Sequence, residues 1–444
     1  MMNLQDTNER FIKTFAKSKE MNEKQMDVIP AGFSRRSFLY GPHAIYADHG
    51  QGQYLYTAEG KRLLDLNNNF TVNILGYNNQ AVNEAIIKSL EKGYSFGNPS
   101  EEEFLLAKML CERIKSVEKV KFFCSASEAC VGAIRMARAY TGKDKFAKLE
   151  GGYHGFCDEM AISGHVSQDH DHGPADCPKG VADSAGIPKS TMSNVIVLPQ
   201  NNFEACEKIL RANQNECGCV LIELQAAAGG SVIMKPEFVE KLEALCKELK
   251  MVFIIDETGT IRARKGGLQA FYNVDPDLTV MGKLIGGGIP TGAVGGKKEI
   301  MDICLDEAII SGTHHAHPMA CAAGIATLEQ LDDAAYNYLN GMAARIKKEL
   351  NAWAEKMGYP FAYFGTNSLM GYTISREKVP EIVSVRDYWD TTDENAMLVY
   401  ALEMAMRGYY PVARGQISLN LPTTEEDITN LIEDSKEVIT NIFE

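Results

Sequence analysis

Long apolar runs are missing from this chain. No stretch reaches the ~18 consecutive apolar residues that a membrane helix needs, so no membrane span is expected. Positive charge is in short supply: 45 Lys and Arg stand against 59 Asp and Glu, a net charge of −14. That balance disfavours nucleic acid or an anionic membrane as the main partner, because both demand a cationic surface. Cysteine has no framework here. The 11 cysteines are an odd number, scattered without paired spacing. Residues 1–24 are polar and charged and lack the apolar core of a secretory signal. Reduced thiols and a cytoplasmic protein are therefore expected. Internal repeats and low-complexity tracts are also absent.

What remains is an ordinary globular composition, 45% hydrophobic and 23% charged. At 444 residues two domains are expected. Residues 4–26 read as one helix with a thin stripe of Phe11, Ile12, Phe15 and Met21. Short strands follow near 44–48, 53–57 and 61–65, then helices over 80–92 and 102–116. In the second of these helices Phe104, Leu105, Ala107, Met109 and Leu110 form a broad apolar face. From about residue 118 the pattern alternates between strand and helix. Strands are predicted at 119–123, 145–149, 194–198, 219–223 and 252–256, with helices at 128–140, 203–213 and 235–249. Such alternation implies an α/β fold with a mostly parallel sheet covered by helices. The stretch 163–193 has no period and reads as a loop. The last ~90 residues mix short strands and helices, a smaller α+β domain. The resulting division is 1–70 as N-terminal arm and part of the small domain, 71–324 as large domain, and 325–444 as C-terminal small domain.

Several stretches carry residues suited to chemistry. Lys283 stands beside Gly286-Gly-Gly288, with Pro290 and further glycines following. Glycine lets backbone approach a bulky planar group, and an amine there could form a Schiff base with an aldehyde cofactor. A solvated surface lysine is the plain alternative. Asp256 ends the apolar strand Met251-Val-Phe-Ile-Ile-Asp256, where open α/β sheets bind ligands. It needs a partner, either a protonated pyridine nitrogen or an ordinary ion pair. Cys124-Ser-Ala-Ser-Glu128 joins a strand to a helix and offers either an anion site or a simple Ser cap. Tyr153, in Gly151-Gly-Tyr-His-Gly155, can lie flat on a planar ligand or merely pack in a loop. His314, His315 and His317 invite a metal reading, but no Cys or carboxylate lies at the usual ligand spacing nearby, so no metal is expected. The same holds for Asp169-His-Asp-His172 and Cys217-Gly-Cys219.

Taken in order, these pieces resemble the class III aminotransferases, pyridoxal-phosphate enzymes of fold type I, nearest the glutamate-1-semialdehyde aminomutase-like branch. The resemblance spans roughly residues 28–435. It rests on Lys61-Arg-Leu-Leu-Asp65 with Ile74-Leu-Gly76, Ser125–Ala129, Arg135-Met-Ala-Arg138 with Thr141-Gly142, Tyr153-His-Gly155, Asp256-Glu257, the lysine stretch, and Pro318-Met-Ala-Cys-Ala-Ala-Gly324. It implies that Lys283 is the Schiff-base lysine and that Asp256 pairs with the pyridine nitrogen. Ser125, Ala126 and Ser127 would form the phosphate loop. Tyr153 would cover one ring face, Thr258 would meet the other, Glu223 would lie near the cofactor's hydroxyl, and His154 is a further cofactor-binding candidate. Thr313 would reach the phosphate of a neighbouring subunit, so a homodimer with shared sites is implied. Arg35, Arg36 and Arg414 are candidates for a substrate carboxylate, and Arg36 is favoured because Ser37-Phe-Leu-Tyr40 would run inward behind it. The sequence departs from the family at Thr258-Gly-Thr-Ile-Arg-Ala-Arg264, at His315-Ala-His-Pro318 and at Tyr77. The implied activity is amino transfer between a small carboxylate-bearing donor and a keto acceptor. The rivals are a 2,1-aminomutase, an epimerase or decarboxylase, and a catalytically silent protein on the same fold.

Overall fold

A computed structural model of the chain describes residues 2–38, 41–165, 168–377 and 381–444. The chain forms two compact units. One comprises Met1–Asn79, Tyr338–Pro380 and Thr391–Glu444; the other comprises Gln80–Asn337 and Glu381–Asp390. All eleven cysteines are free thiols. No helix among the described residues is long and apolar enough to cross a membrane.

The second unit is built on a seven-stranded sheet. Its strands lie in the order Lys119–Phe123, Gly292–Gly296, Leu278–Gly282, Val252–Asp256, Cys217–Ile222, Lys145–Leu149, Val195–Leu198. Pairing is parallel except at Gly292–Gly296, which runs against both neighbours. The apolar runs in these strands reflect burial on both faces, and the two-residue period divides each strand between two cores. Val252 and Ile254 pack with Cys219, Leu221, Phe146 and the helix Ala126–Thr141. Phe253 and Ile255 pack on the other side with Val220, Ile222, Ala147 and the helices Phe203–Ala212 and Pro236–Glu248. Gly292 is required by close approach, since a Cβ there would sit 2.2 Å from the Ser125 carbonyl oxygen.

The first unit carries a four-stranded sheet, Ala47–Gln51, Tyr54–Thr57, Arg62–Asp65 and Tyr409–Tyr410, and a three-stranded one, Phe361–Phe364, Leu369–Ile374 and Gln416–Ser418. Its helices include Leu4–Thr14, Ala16–Gln25, most of Asp333–Met357, Glu394–Arg407 and Glu425–Phe443, the last opened by a Thr424–Asp427 capping box. Four successive non-glycine residues, Asn68 to Thr71, take positive φ. Such a left-handed turn is costly. It is held by Asp65 Oδ1, which accepts from the Asn67 and Asn68 amides, and by buried Asn68, which donates to the Ser418 carbonyl and accepts from Asn420.

Three local expectations change. The 4–26 helix is two helices, Leu4–Thr14 and Ala16–Gln25, because Phe15 leaves helical geometry while burying its ring against Leu402 and Ala405. The helix Glu101–Arg113 turns Leu106 and Leu110 inward and leaves Phe104 and Leu105 64% and 41% exposed. Its apolar face was wide enough to allow either rotation, and Leu106 is placed by its neighbour Gly324. A short helix, Lys189–Met192, interrupts the 163–193 stretch.

Candidate active site

Strand parity brings charge together. Asp256 follows Val252 and Ile254 on the face covered by Ala126–Thr141. Glu223 follows Cys219 and Leu221 on that face, and Lys148 and Glu150 follow Phe146. The three strands are adjacent and parallel, so these four side chains gather at their carboxyl ends. Asp256 is 3% exposed. Its Oδ2 accepts from His154 Nδ1 at 2.9 Å and from the Cys130 thiol at 3.5 Å, while Oδ1 accepts from the Thr258 amide at 2.9 Å. Burial works to raise its pKa, yet His154 and Thr258 outweigh burial and hold it below the ordinary carboxylate value. Burial keeps the His154 pKa low, so its ring is neutral and donates from Nδ1. Glu223 is pushed up to about 8 by burial and then by the Asp256 charge, against the pull of the Tyr153 amide and of Lys283 and Lys148. Lys148 is fully buried and drops to about 8, burial outweighing Asp183 and Glu223.

Lys283 leaves the sheet beside this group. Gly282 lies level with Gly292, and Gly292 with Phe123, so Lys283 and Cys124 depart from the same edge of the sheet. Lys283 is half-buried with φ 55°, a left-handed conformation that costs a non-glycine residue ~1–3 kcal/mol. A Cβ on Gly282 would lie 2.8 Å from the Ala126 methyl and 3.4 Å from Thr258 Cγ2, which ties the lysine's neighbour to both loops. Ser125 caps the 16-residue helix Ala126–Thr141: its Oγ accepts from the Glu128 amide at 3.2 Å, and Glu128 Oε2 accepts from the Cys124 amide at 2.9 Å. Ala126 and Ser127 follow in the first turn, where amides have no partner within the helix. Gly155 crosses against Ser127, with room for no Cβ. Tyr153 is 40% exposed, its ring 4.6 Å from that of His165.

This donor set fits pyridoxal phosphate. Inside it, His154 Nε2 is buried and has no hydrogen-bond partner among the described residues. A buried anionic acid suits a pyridinium nitrogen, a strong helix N-terminus suits a phosphate, and a lysine stands between two glycine-cleared approaches.

Arg35 donates to Asn69 Oδ1 at 2.6 Å and lies 4.6 Å over Phe38 and 5.0 Å over Phe70. Arg414 lies 5.3 Å over the same Phe70 ring. Arg35 and Arg414 thus approach the same ring. Arg36 is exposed, and part of the segment expected to run inward, Leu39 and Tyr40, lies outside the described residues. Thr313 is exposed on the loop before Pro318–Glu329. Cys217 and Cys219 are buried in a strand, and His172 packs on Trp389 with its Nδ1 3.7 Å from Glu150.

Sequence reasoning missed Lys148, Cys130 and the Glu150–Arg386 pair. Arg386 clasps Glu150 through two bonds of 2.8 Å and donates to the Gly173 and His172 carbonyls. The one signal was Lys148 itself, a charge at an inward position of an apolar strand.

The profile of the Aminotransferase class-III family matches residues 39–363. A glutamate-1-semialdehyde 2,1-aminomutase of Desulfotalea psychrophila is 35% identical over 361 residues, 80% of this chain and 82% of the relative. An omega-transaminase from Sphaerobacter thermophilus superposes with a TM-score of 0.90 at 29% identity, over 96% of this chain and 98% of its own. A transaminase with PLP bound gives 0.87 at 26%, with coverage of 96% and 98%.

Proposed function

Because the chain belongs to the class-III aminotransferases, fold type I enzymes that depend on pyridoxal phosphate, we propose that it moves the amino group of a small carboxylate-bearing amino compound, with Lys283 and Asp256 as the central pair. The observation that carries this reading is Asp256, buried yet held ionised by three donors in the end-of-strand group that Lys283 adjoins. Pyridoxal phosphate, when bound, supplies an aldehyde for the substrate amine and a ring that withdraws electrons from the adjoining carbon. Asp256 keeps the ring nitrogen protonated. Lys283 Nζ would hold the cofactor and would serve as the base that accepts and returns a substrate proton. Ser125, Ala126 and Ser127 bind the phosphate with amides, hydroxyl and helix dipole. Tyr153, Thr258 and Glu223 would help to hold the cofactor ring.

The substrate carboxylate is assigned to Arg35 together with Arg414, since both approach one aromatic ring. A homodimer, with Thr313 serving the neighbour's phosphate, is supported by the exposed apolar residues Ile87, Leu90, Phe104 and Leu105 on the helices Gln80–Lys92 and Glu101–Arg113. Eleven free thiols support a cytoplasmic setting.

The second reading is a 2,1-aminomutase, supported by the 35% identical relative. One experiment separates the two. Purified holoenzyme is exposed to single amino donors while the cofactor's absorption is followed. A transaminase stops after one turnover until a keto acceptor is added, whereas an aminomutase converts its substrate to the isomer without one. Failure of every amino donor to change the absorption would overturn both.

A further inference from the structure

Three histidines in Ser311-Gly-Thr-His-His-Ala-His-Pro318 have no part in the cofactor assignment. One of them, His315, folds onto the end of the strand Lys119–Phe123. Its ring lies 5.0 Å from that of Phe123, and its Nε2 is 3.5 Å from Glu128 Oε2. The Cys124 thiol completes a group, because the donor atoms of Cys124, Glu128 and His315 all lie within 4.8 Å of one another. Ligands of a tetrahedral zinc, bound at roughly 2.0–2.3 Å, are themselves roughly 3.3–3.7 Å apart. The His315–Glu128 pair already has that spacing, and the thiol needs to close by about 1 Å at most.

The donor chemistry is selective. Calcium and magnesium prefer an all-oxygen shell. Thiolate with imidazole and one carboxylate suits a softer ion, and three protein ligands leave the fourth position to water. Glu128 can serve without losing its cap, since a carboxylate has a second oxygen and several lone pairs beyond the one that accepts the Cys124 amide. In the single chain Glu128 is 48% exposed and His315 18%. Zinc-type cations bind the thiolate, so the cation displaces the thiol proton.

We propose that Cys124, Glu128 and His315 bind one thiophilic divalent cation of the zinc type, clipping the strand-to-helix turn at Ser125 to the histidine loop. The balance is simple: a metal–sulfur bond replaces the S–H bond, one proton leaves to solvent, and nothing is oxidised. Cation binding does not depend on which amine the enzyme handles, or on whether residues 125–127 hold a phosphate.

The test uses holoenzyme freed of metal by a chelator. Zn²⁺ is titrated calorimetrically in two buffers of different ionisation enthalpy, and Cd²⁺ is followed by its thiolate charge-transfer absorption in the ultraviolet. The expected result is one cation per chain with about one proton released. Affinity should fall at least tenfold in Cys124→Ser and in His315→Ser, with the ultraviolet band lost in Cys124→Ser. His314→Ala and His317→Ala should bind as the parent does. Each variant's melting temperature and cofactor absorption without cation, matched to the parent's, show that it folds; if Cys124→Ser does not, the exposed-loop variant His315→Ser carries the test. No binding by the parent overturns the site. So does unchanged binding in His315→Ser, or loss of binding in His314→Ala or His317→Ala alone, which would mark a surface histidine site instead.

Discussion

Glu223 shows how strongly position alters a side chain. Its pKa of about 8 stands above the ordinary 4.5, so between those values the folded protein holds a proton that the unfolded chain has lost. The contribution is fully present below pH 4.5 and is lost as pH rises toward about 8. Lys148 does not mask this, because its own window opens above about 8. Glu223→Gln should therefore flatten the fall in melting temperature across that range in cofactor-free protein; a parent-to-variant gap that stays constant with pH would contradict it. At Lys283, Lys283→Ala should lower kcat by ~10²–10⁴-fold or more, the usual worth of a general base, while the anion site survives because its donors are separate. Borohydride should fix the cofactor to Lys283 in the parent, and peptide mapping that finds another lysine would sink the assignment. For the carboxylate, Arg35→Lys should cost ~1–3 kcal/mol in kcat/KM for carboxylate donors, the worth of charge-assisted bonds. Amines lacking the carboxylate should be nearly indifferent. An equal loss for both would make Arg35 structural and return attention to Arg36.

The elements around the site are held by close approach as much as by apolar burial. The strand Gly292–Gly296 joins two others because its first residue has no side chain: a Cβ there meets the Ser125 carbonyl and the Ala126 amide at 2.2 and 2.7 Å. Both are backbone atoms of the cap that opens Ala126–Thr141, so neither can swing aside. Gly292→Ala should destabilise the protein by ~1–3 kcal/mol, as overpacking does, and weaken cofactor binding at the same time. Calorimetric melting and cofactor titration check the two effects together. A stability loss with unchanged cofactor affinity would show that the cap can shift without moving the anion site.

For the molecule as a whole, long-range pairs do what local pattern cannot. Arg386 belongs to the segment Glu381–Asp390, which returns to the sheet-bearing unit after a long excursion of the chain. Its bidentate bond secures Glu150, whose side chain is 4% exposed. Arg386→Leu should cost about 3 kcal/mol by leaving that carboxylate buried and unpaired, and Glu150→Gln in the same chain should recover part of the loss. A melting temperature unmoved by Arg386→Leu would mean that Glu150 finds water or another donor. Assembly is tested by mixing Lys283→Ala with a Thr313→Ala variant. If the two residues serve opposite subunits, hybrid dimers contain one intact site and activity returns; no recovery after proven subunit exchange counts against shared sites.

Local pattern by itself determined most of the sheet-bearing unit. Val252–Asp256, Lys145–Leu149 and Lys119–Phe123 were legible to the residue, the first because a strand buried on both faces is an apolar run that ends where polar groups begin, the other two from their place in the alternation of strand and helix. Lys283 among glycines and Asp256 at a strand end were legible for the same reason: their neighbours in sequence are their surroundings. The split at Phe15 and the rotation of Glu101–Arg113 were not, since each turns on which partner buries an aromatic or a leucine. Only the tertiary structure set Cys130 against Asp256, 126 residues away, and Arg386 against Glu150, 236 residues away. It alone brought Cys124 and Glu128 to His315, ligands that no local spacing contains. Those meetings depend on strand order and on the parity of facing side chains, and neither is written in a short window of sequence.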